Sequence, residues 1–236
     1  MSCKPRFVVA MILVVSAFFI PSCNGGGDDV VPGGTVGTVG QKLIDSVPVG
    51  TGCDYQVNFS SAIVYNDVLY FGGATGPDYM TDVWKIYSFD GSAIANVAVG
   101  GSCTYGENYS SPVILNNNLY FEGESNSFED LPYVLDNTVS DPAITDVGLG
   151  SSNYSQEFND AIVYDGKVYF RGYNGTDSNH EIYAFDGTDF SEVTVDGSCD
   201  YDNDFFLFLI HDGTLYFEGK DSSGNYRVYA FDGTSI

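Results

Sequence analysis

Apolar positions along this chain fall into two regimes. From Phe7 to Ile20 they form one run broken only by Ser16. From about Lys42 onward they come in short bursts separated by Gly, Asn, Asp and Ser, and no stretch keeps a helical period. Short apolar bursts rich in Tyr, Phe and Val, bounded by turn residues, predict strands, and the chain reads as all-β. In the first such region strand a is expected at Ser61–Tyr65, strand b at Val68–Gly72, strand c at Lys85–Phe89 and strand d at Ile94–Val99. Strands a and b are nearly continuous in apolar residues, as in Ala161-Ile162-Val163-Tyr164, which suits sheets covered on both faces.

The pattern repeats. Leu69-Tyr70-Phe71, Leu119-Tyr120-Phe121, Val168-Tyr169-Phe170 and Leu215-Tyr216-Phe217 recur at steps of 50, 49 and 47 residues. A second motif keeps pace: Phe89-Asp90-Gly91, Leu135-Asp136-Asn137, Phe185-Asp186-Gly187 and Phe231-Asp232-Gly233. A third precedes each unit, from Val47-Pro48-Val49-Gly50 through Val97-Ala98-Val99-Gly100 and Val147-Gly148-Leu149-Gly150 to Val193-Thr194-Val195-Asp196. Asn66-Asp67, Asn116-Asn117, Asp165-Gly166 and Asp212-Gly213 sit between strands a and b, where two-residue hairpins need positive φ. Four tandem units of four strands predict a four-bladed β-propeller, each blade stacked between its neighbours. The last unit stops at Ile236 without most of strand d, while Leu43–Val49 resembles an orphan strand d. The N-terminal strand is therefore expected to complete the fourth blade and close the ring, which removes a free sheet edge. An open stack of blades and a homo-oligomeric ring are the alternatives.

In the third unit, Lys167-Val168-Tyr169-Phe170 and His180-Glu181-Ile182-Tyr183-Ala184-Phe185-Asp186-Gly187-Thr188 resemble the bacterial repeats named for a Glu-Leu-Trp-x-x-Asp-Gly-Thr signature, and more loosely kelch-type propeller blades. Val228-Tyr229-Ala230-Phe231-Asp232-Gly233-Thr234 matches in part. The first unit has Lys85-Ile86-Tyr87 instead, and the second departs most, at Pro132 and Asn137. The resemblance implies a propeller outside the cytoplasm and carries over no catalytic residue.

The N-terminal apolar run, preceded by Lys4 and Arg6 and followed by Ile20-Pro21-Ser22-Cys23, reads as a lipoprotein signal over residues 1–22 with the lipid on Cys23. A plain cleaved signal and an uncleaved anchor are the alternatives, the anchor being short of the ~20 residues of a spanning helix. Residues 23–41, rich in Gly, Val, Thr and Asp, read as a flexible tether, and residues 42–236 as the propeller. This places the protein in a bacterial cell envelope, lipid-anchored, with the outer membrane favoured. The formal net charge of −24, more negative still once Lys4 and Arg6 leave with the signal, argues against nucleic acid and anionic lipid as partners.

Candidate chemistry gathers in the predicted b–c and d–a connections, which would emerge on one propeller face. Cys53, Cys103 and Cys199 occupy equivalent positions, and buried small hydrophobes, one disulfide and a metal site are all open readings. Among the acidic residues there, Asp200, Asp202 and Asp204 are densest and alternate as in a Ca²⁺ loop; a solvated loop is the alternative. Tyr79, Trp84, Phe128 and Tyr173 are candidates for stacking on a sugar or a peptide. With two histidines and no nucleophile elbow, phosphate loop or His-Glu-x-x-His, the expectation is that the chain is not an enzyme. A binding module for a glycan, peptide or envelope protein comes first, and a docking subunit of an envelope complex second. A propeller glycoside hydrolase with paired carboxylates is third.

Overall fold

Each of the four repeats forms an antiparallel meander, described by the computed structural model over residues 47–76, 83–136, 142–149, 154–176 and 178–236. The leader, Cys23, the tether and Tyr79 lie outside these ranges. The first blade comprises β1 (Val57–Tyr65), β2 (Val68–Ala74), β3 (Trp84–Phe89) and β4 (Ile94–Asn96). After β5 (Ala98–Val99), the second blade comprises β6 (Tyr105–Leu115), β7 (Asn118–Ser125), β8 (Asp130–Asp136) and β9 (Ala143–Asp146). The third is β10 (Tyr154–Tyr164), β11 (Lys167–Asn174), β12 (His180–Phe185) and β13 (Phe190–Glu192). The fourth is β14 (Tyr201–His211), β15 (Thr214–Asp221) and β16 (Tyr226–Phe231). All four a–b turns hold both central residues at positive φ, as the sequence predicts.

Strand a is about twice its predicted length, because it runs through polar residues that read as loop. Two bulges make this possible. Asn58, Asn108, Glu157 and Asp204 hold φ between 65° and 70°, and Ser61, Ser111, Asp160 and Leu207 hold φ near 50°. Each shifts the register against strand b. The first bulge is pinned by a tyrosine three residues ahead of it. Tyr55, Tyr105, Tyr154 and Tyr201 each donate their hydroxyl to the bulged carbonyl three residues on, at 2.5–2.8 Å. The tyrosine ring then lies flat over a glycine of strand b. A Cβ at Gly172 would sit 2.8 Å from the rings of Tyr154 and Tyr183, so glycine is required there.

Successive blades pack face to face, strand a of each lying against strands a, b and c of the blade before it. Leu119, Phe121, Tyr133 and Leu135 of the second blade meet Tyr65, Tyr70 and Ile86 of the first. Phe170, Tyr183 and Phe185 of the third meet Val113, Leu115 and Tyr120 of the second. Phe217, Tyr229 and Phe231 of the fourth meet Tyr164, Tyr169 and Ile182 of the third. Fully burying one such aromatic contributes up to ~3 kcal/mol, so these junctions carry most of the apolar stabilisation. Turns add polar stitches: Tyr65 Oη donates to Asn117 O and Tyr164 Oη to Gly213 O, each joining one blade to the next.

The third sequence motif behaves differently from its prediction. Strand d ends at Asn96, and Ala98–Val99 leaves the first blade to pair in parallel with Ala143–Ile144, the outer strand of the second. Thr194–Asp196 does the same to the fourth blade, exchanging hydrogen bonds with Ile236. Val147 and Leu149 pack into the cluster of the third blade around Phe190. Each linker thus fastens the outer edge of the blade that follows it.

This corrects the predicted closure. Val49 bridges Ile94, while Pro48 O and Gly50 N hydrogen-bond Ile94, so the segment before the first repeat fastens the first blade and not the fourth. The sheets are separate and no ring of four is closed: among the described residues, packing runs from each blade to the next in sequence, and the fourth makes no substantial contact with the first.

Candidate functional site

The predicted long b–c connections are tight hairpins in the second and fourth blades. A buried polar residue at the end of strand b organises each turn. Ser125 Oγ accepts from the backbone N–H of Ser127 and Glu129, and Asp221 Oδ1 from those of Ser223 and Asn225. Asn174 Oδ1 takes the Thr176 N–H in the third. Phe128 stands almost wholly exposed at one such tip, Trp84 opens strand c of the first blade opposite Ala74, and Tyr173 packs its ring edge-on to His180 at 5.5 Å. These three candidate aromatics therefore sit on three different blades.

The residues after the cysteines brace strand c. Asp54 accepts from Tyr87 Oη (3.0 Å) and pairs with Lys85 Nζ (2.8 Å); Thr104 meets Tyr133 Oη at 3.2 Å; Asp200 lies 3.4 Å from Tyr229 Oη. The predicted cation loop is dispersed by the same bracing. Asp200 faces Arg227 at 3.8 Å, Asp204 binds Lys220 at 2.6 Å, and Asp202 accepts from Asn203 Nδ2. Among the described residues no group of three His, Cys, Asp or Glu side chains is placed to hold a metal. The three cysteines are free thiols, which corrects the disulfide reading: each packs into the cluster of a different blade. Cys53 and Cys103 direct their sulfur to Asn96 Oδ1 and Asp146 Oδ1 on strand d, and burial pushes the Cys103 thiol up to about 11.

Ionisable groups converge elsewhere, where β10 packs against β7 and β8. Glu122 on strand b of the second blade accepts from Phe158 N (2.6 Å), across the junction, and from Ser110 Oγ (2.9 Å). Burial raises its carboxyl above the ordinary range. Glu157 occupies the first bulge of β10, with Oε1 3.1 Å from His180 Nε2 and Oε2 3.9 Å from an Arg171 terminal nitrogen. Glu157 Oε2 and Arg171 Nε are buried, and neither has a hydrogen-bond partner among the described residues. Asp130 at the start of β8 is raised by desolvation and then by the Glu157 charge; Asp160, in the second bulge, is raised by desolvation against the opposing pull of Arg171.

The bulges explain this gathering. Each turns one residue of strand a out of the pleat alternation, so Glu157 and Asp160 come to the same strand-b residue, Arg171. Sequence reasoning named His180 only within the third unit's repeat motif and passed over Glu122 and Arg171. Their signal was the position after Leu-Tyr-Phe, which reads Gly72, Glu122, Arg171 and Glu218 across the four repeats. A charged residue in a strand buried on both faces is the mark of a site or a buried pair.

The sequence matches no protein-family model and no curated protein. The fold is similar to that of solved propeller structures. One is the β-propeller domain of the Trilobed protease from Pyrococcus furiosus: TM-score 0.48, 16% identity, covering 75% of this chain and 51% of that one. Another is the acylaminoacyl peptidase of Pyrococcus horikoshii: TM-score 0.48, 17% identity, 76% of this chain and 27% of that one. A third is a family 117 glycoside hydrolase from Zobellia galactanivorans: TM-score 0.42, 14% identity, 80% of this chain and 72% of that one. The chain thus spans about half of the first and a quarter of the second. Structures from hydrolases overturn the expectation that the chain is not an enzyme, and that expectation is withdrawn. At these identities and scores the likeness is one of fold and assigns no reaction to this chain.

Proposed function

We propose that the junction of the second and third blades is a glycan-binding site in a lipid-anchored protein of the bacterial cell envelope. The observation that carries the reading is the Glu157–Arg171–His180 arrangement, with Glu157 Oε2 and Arg171 Nε enclosed yet without hydrogen-bond partners. Buried polar atoms of this kind are expected to have partners, and a hydroxyl is the group that serves both, accepting from Arg171 and donating to Glu157. Tyr173, packed beside His180, adds an apolar ring edge next to these polar groups. The net charge of −24 disfavours anionic ligands and points to a neutral glycan. The leader pattern and Cys23 support the lipid anchor and the envelope address.

Hydrolysis of a glycosidic bond is the second reading, favoured by the unlike surroundings of two neighbouring carboxyls. Asp130 is pushed toward the protonated form, whereas Glu157 lies beside the Arg171 guanidinium and the His180 ring. A proton donor beside a carboxylate is the pairing that glycoside hydrolysis needs. The test is calorimetric titration of the full chain in detergent with neutral xylo-, gluco- and manno-oligosaccharides, with reducing ends measured in the same mixtures. Binding that falls at least about tenfold in Glu157→Gln supports the site. Release of reducing ends that Asp130→Asn abolishes, with binding retained, supports hydrolysis. No heat with any oligosaccharide would overturn the glycan reading and direct attention to a protein partner docking on the blades.

A further inference from the structure

The two ends of the blade stack are unlike the three junctions inside it. Every blade has a leading face, which packs on the blade before it, and a trailing face, which packs on the blade after it. Repeat equivalence states what each position does when covered. Phe59 of the first blade corresponds to Tyr109, Phe158 and Phe205. Phe158 and Phe205 are fully buried, whereas Phe59 is 59% exposed. Val228 of the fourth blade corresponds to Ile86 and Ile182, which are 2% and 3% exposed, yet Val228 itself is 74% exposed. Leu209, equivalent to the nearly buried Val113, is 64% exposed.

These faces are complementary. The leading face of the first blade presents an open groove of about 250 Å³, lined by Tyr55, Phe59, Leu69, Phe71 and Phe89. Inside the chain the equivalent surface receives the trailing residues of the preceding blade: Ile86 N–H donates to Tyr105 Oη, and Glu122 accepts from Phe158 N–H. By the same register Val228 would reach Tyr55, and Glu218 would accept from the Phe59 N–H. A tyrosine hydroxyl at the end of strand a reaches the next blade's a–b turn in Tyr65 to Asn117 and Tyr164 to Gly213. In the fourth blade that position is His211, facing solvent with a donor-capable ring.

We propose that the protein associates head to tail with a second copy of itself, the trailing face of each fourth blade seating on the leading face of the other's first blade. The contact repeats the three internal junctions, so it needs no new chemistry. It is heterologous, and a heterologous contact either closes into a ring or grows into a fibre. Two copies make eight blades, the upper end of the usual propeller range, whereas three would make twelve. A pair that closes covers both apolar faces, and each linker-fastened outer edge stays as it is in the single chain.

The test is co-expression of two differently tagged full-length copies, capture of one from detergent extracts and quantification of the other. Wild-type copies are expected to be captured together. When both copies carry Val228→Arg, or both carry Phe59→Asp, capture should fall at least about tenfold. When one copy carries Phe59→Asp and the other Val228→Arg, capture should persist, because one unaltered trailing face still meets one unaltered leading face. Persistence in that mixture also shows that neither variant is misfolded. Absence of wild-type capture, capture indifferent to the paired substitutions, or loss in the mixed pair each overturns the proposal.

Discussion

The tyrosine that pins each strand-a bulge offers four versions of one interaction in a single chain, and their surroundings rank the cost of removing the hydroxyl. In Tyr105→Phe the Asn108 carbonyl loses a donor at 2.7 Å, and the Ile86 N–H, which crosses from the first blade at 3.3 Å, loses its acceptor. The Ile86 group is buried and the Asn108 carbonyl half-buried, and two orphaned polar groups make the cost about 2–3 kcal/mol. Tyr154→Phe orphans the Glu157 carbonyl, but Pro132 stands where Ile86 stands in the first blade and has no N–H to lose. The expected cost there is about 1–2 kcal/mol. Tyr55 lies on the open end of the stack, only partly buried, so water replaces much of the lost bond and the cost stays below about 1 kcal/mol. For a domain of this size each kcal/mol moves the melting temperature by about 2–4 °C. Thermal melts followed by circular dichroism should therefore rank Tyr105→Phe as most damaging, Tyr154→Phe next and Tyr55→Phe least. A Tyr105→Phe protein melting within about 1 °C of wild type, or a reversed order, would refute the reasoning.

Two further outcomes follow from the buried ionisable groups. Burial holds the Glu122 carboxyl above its ordinary value, so its contribution is fully present at low pH and is lost as pH rises through the raised value. Urea unfolding from pH 4.5 to 8 should show Glu122→Gln gaining on wild type as pH increases; a constant difference across that range would contradict it. The Cys103 thiol, near 11, is ionised in only about one molecule in a thousand at pH 8, so alkylation there should be slow until the protein is denatured. Peptide mapping after a short iodoacetamide pulse measures this, and rapid native labelling of Cys103 would show that the thiol is not held as described.

Much of the fold was legible because its code is local. Asn66-Asp67 and Asp165-Gly166 specify a two-residue turn through backbone conformations that few other residues tolerate, and strands b and c follow from apolar bursts next to such turns. The inner strand was half hidden: Asn58 read as a loop residue and Ser61 as the start of strand a, yet both are bulges inside a longer β1. The cysteines were correctly placed at equivalent positions, but whether they meet depends on blade spacing, which residue identity does not encode.

The sequence alone therefore determined the repeat, the number of meanders and the turns that shape each one, since all of these depend on residues a few positions apart. Only the tertiary structure decided where Val97-Ala98-Val99 goes, because a short apolar segment pairs equally well with either flanking sheet, and the next blade's Ile144 edge wins it. It alone decided that Glu122, Asp130, Glu157, Asp160, Arg171 and His180 come from two blades to one junction. The physical reason is the same in both cases: blade-to-blade packing brings together residues tens of positions apart, and a bulge redirects a side chain without changing its place in the sequence.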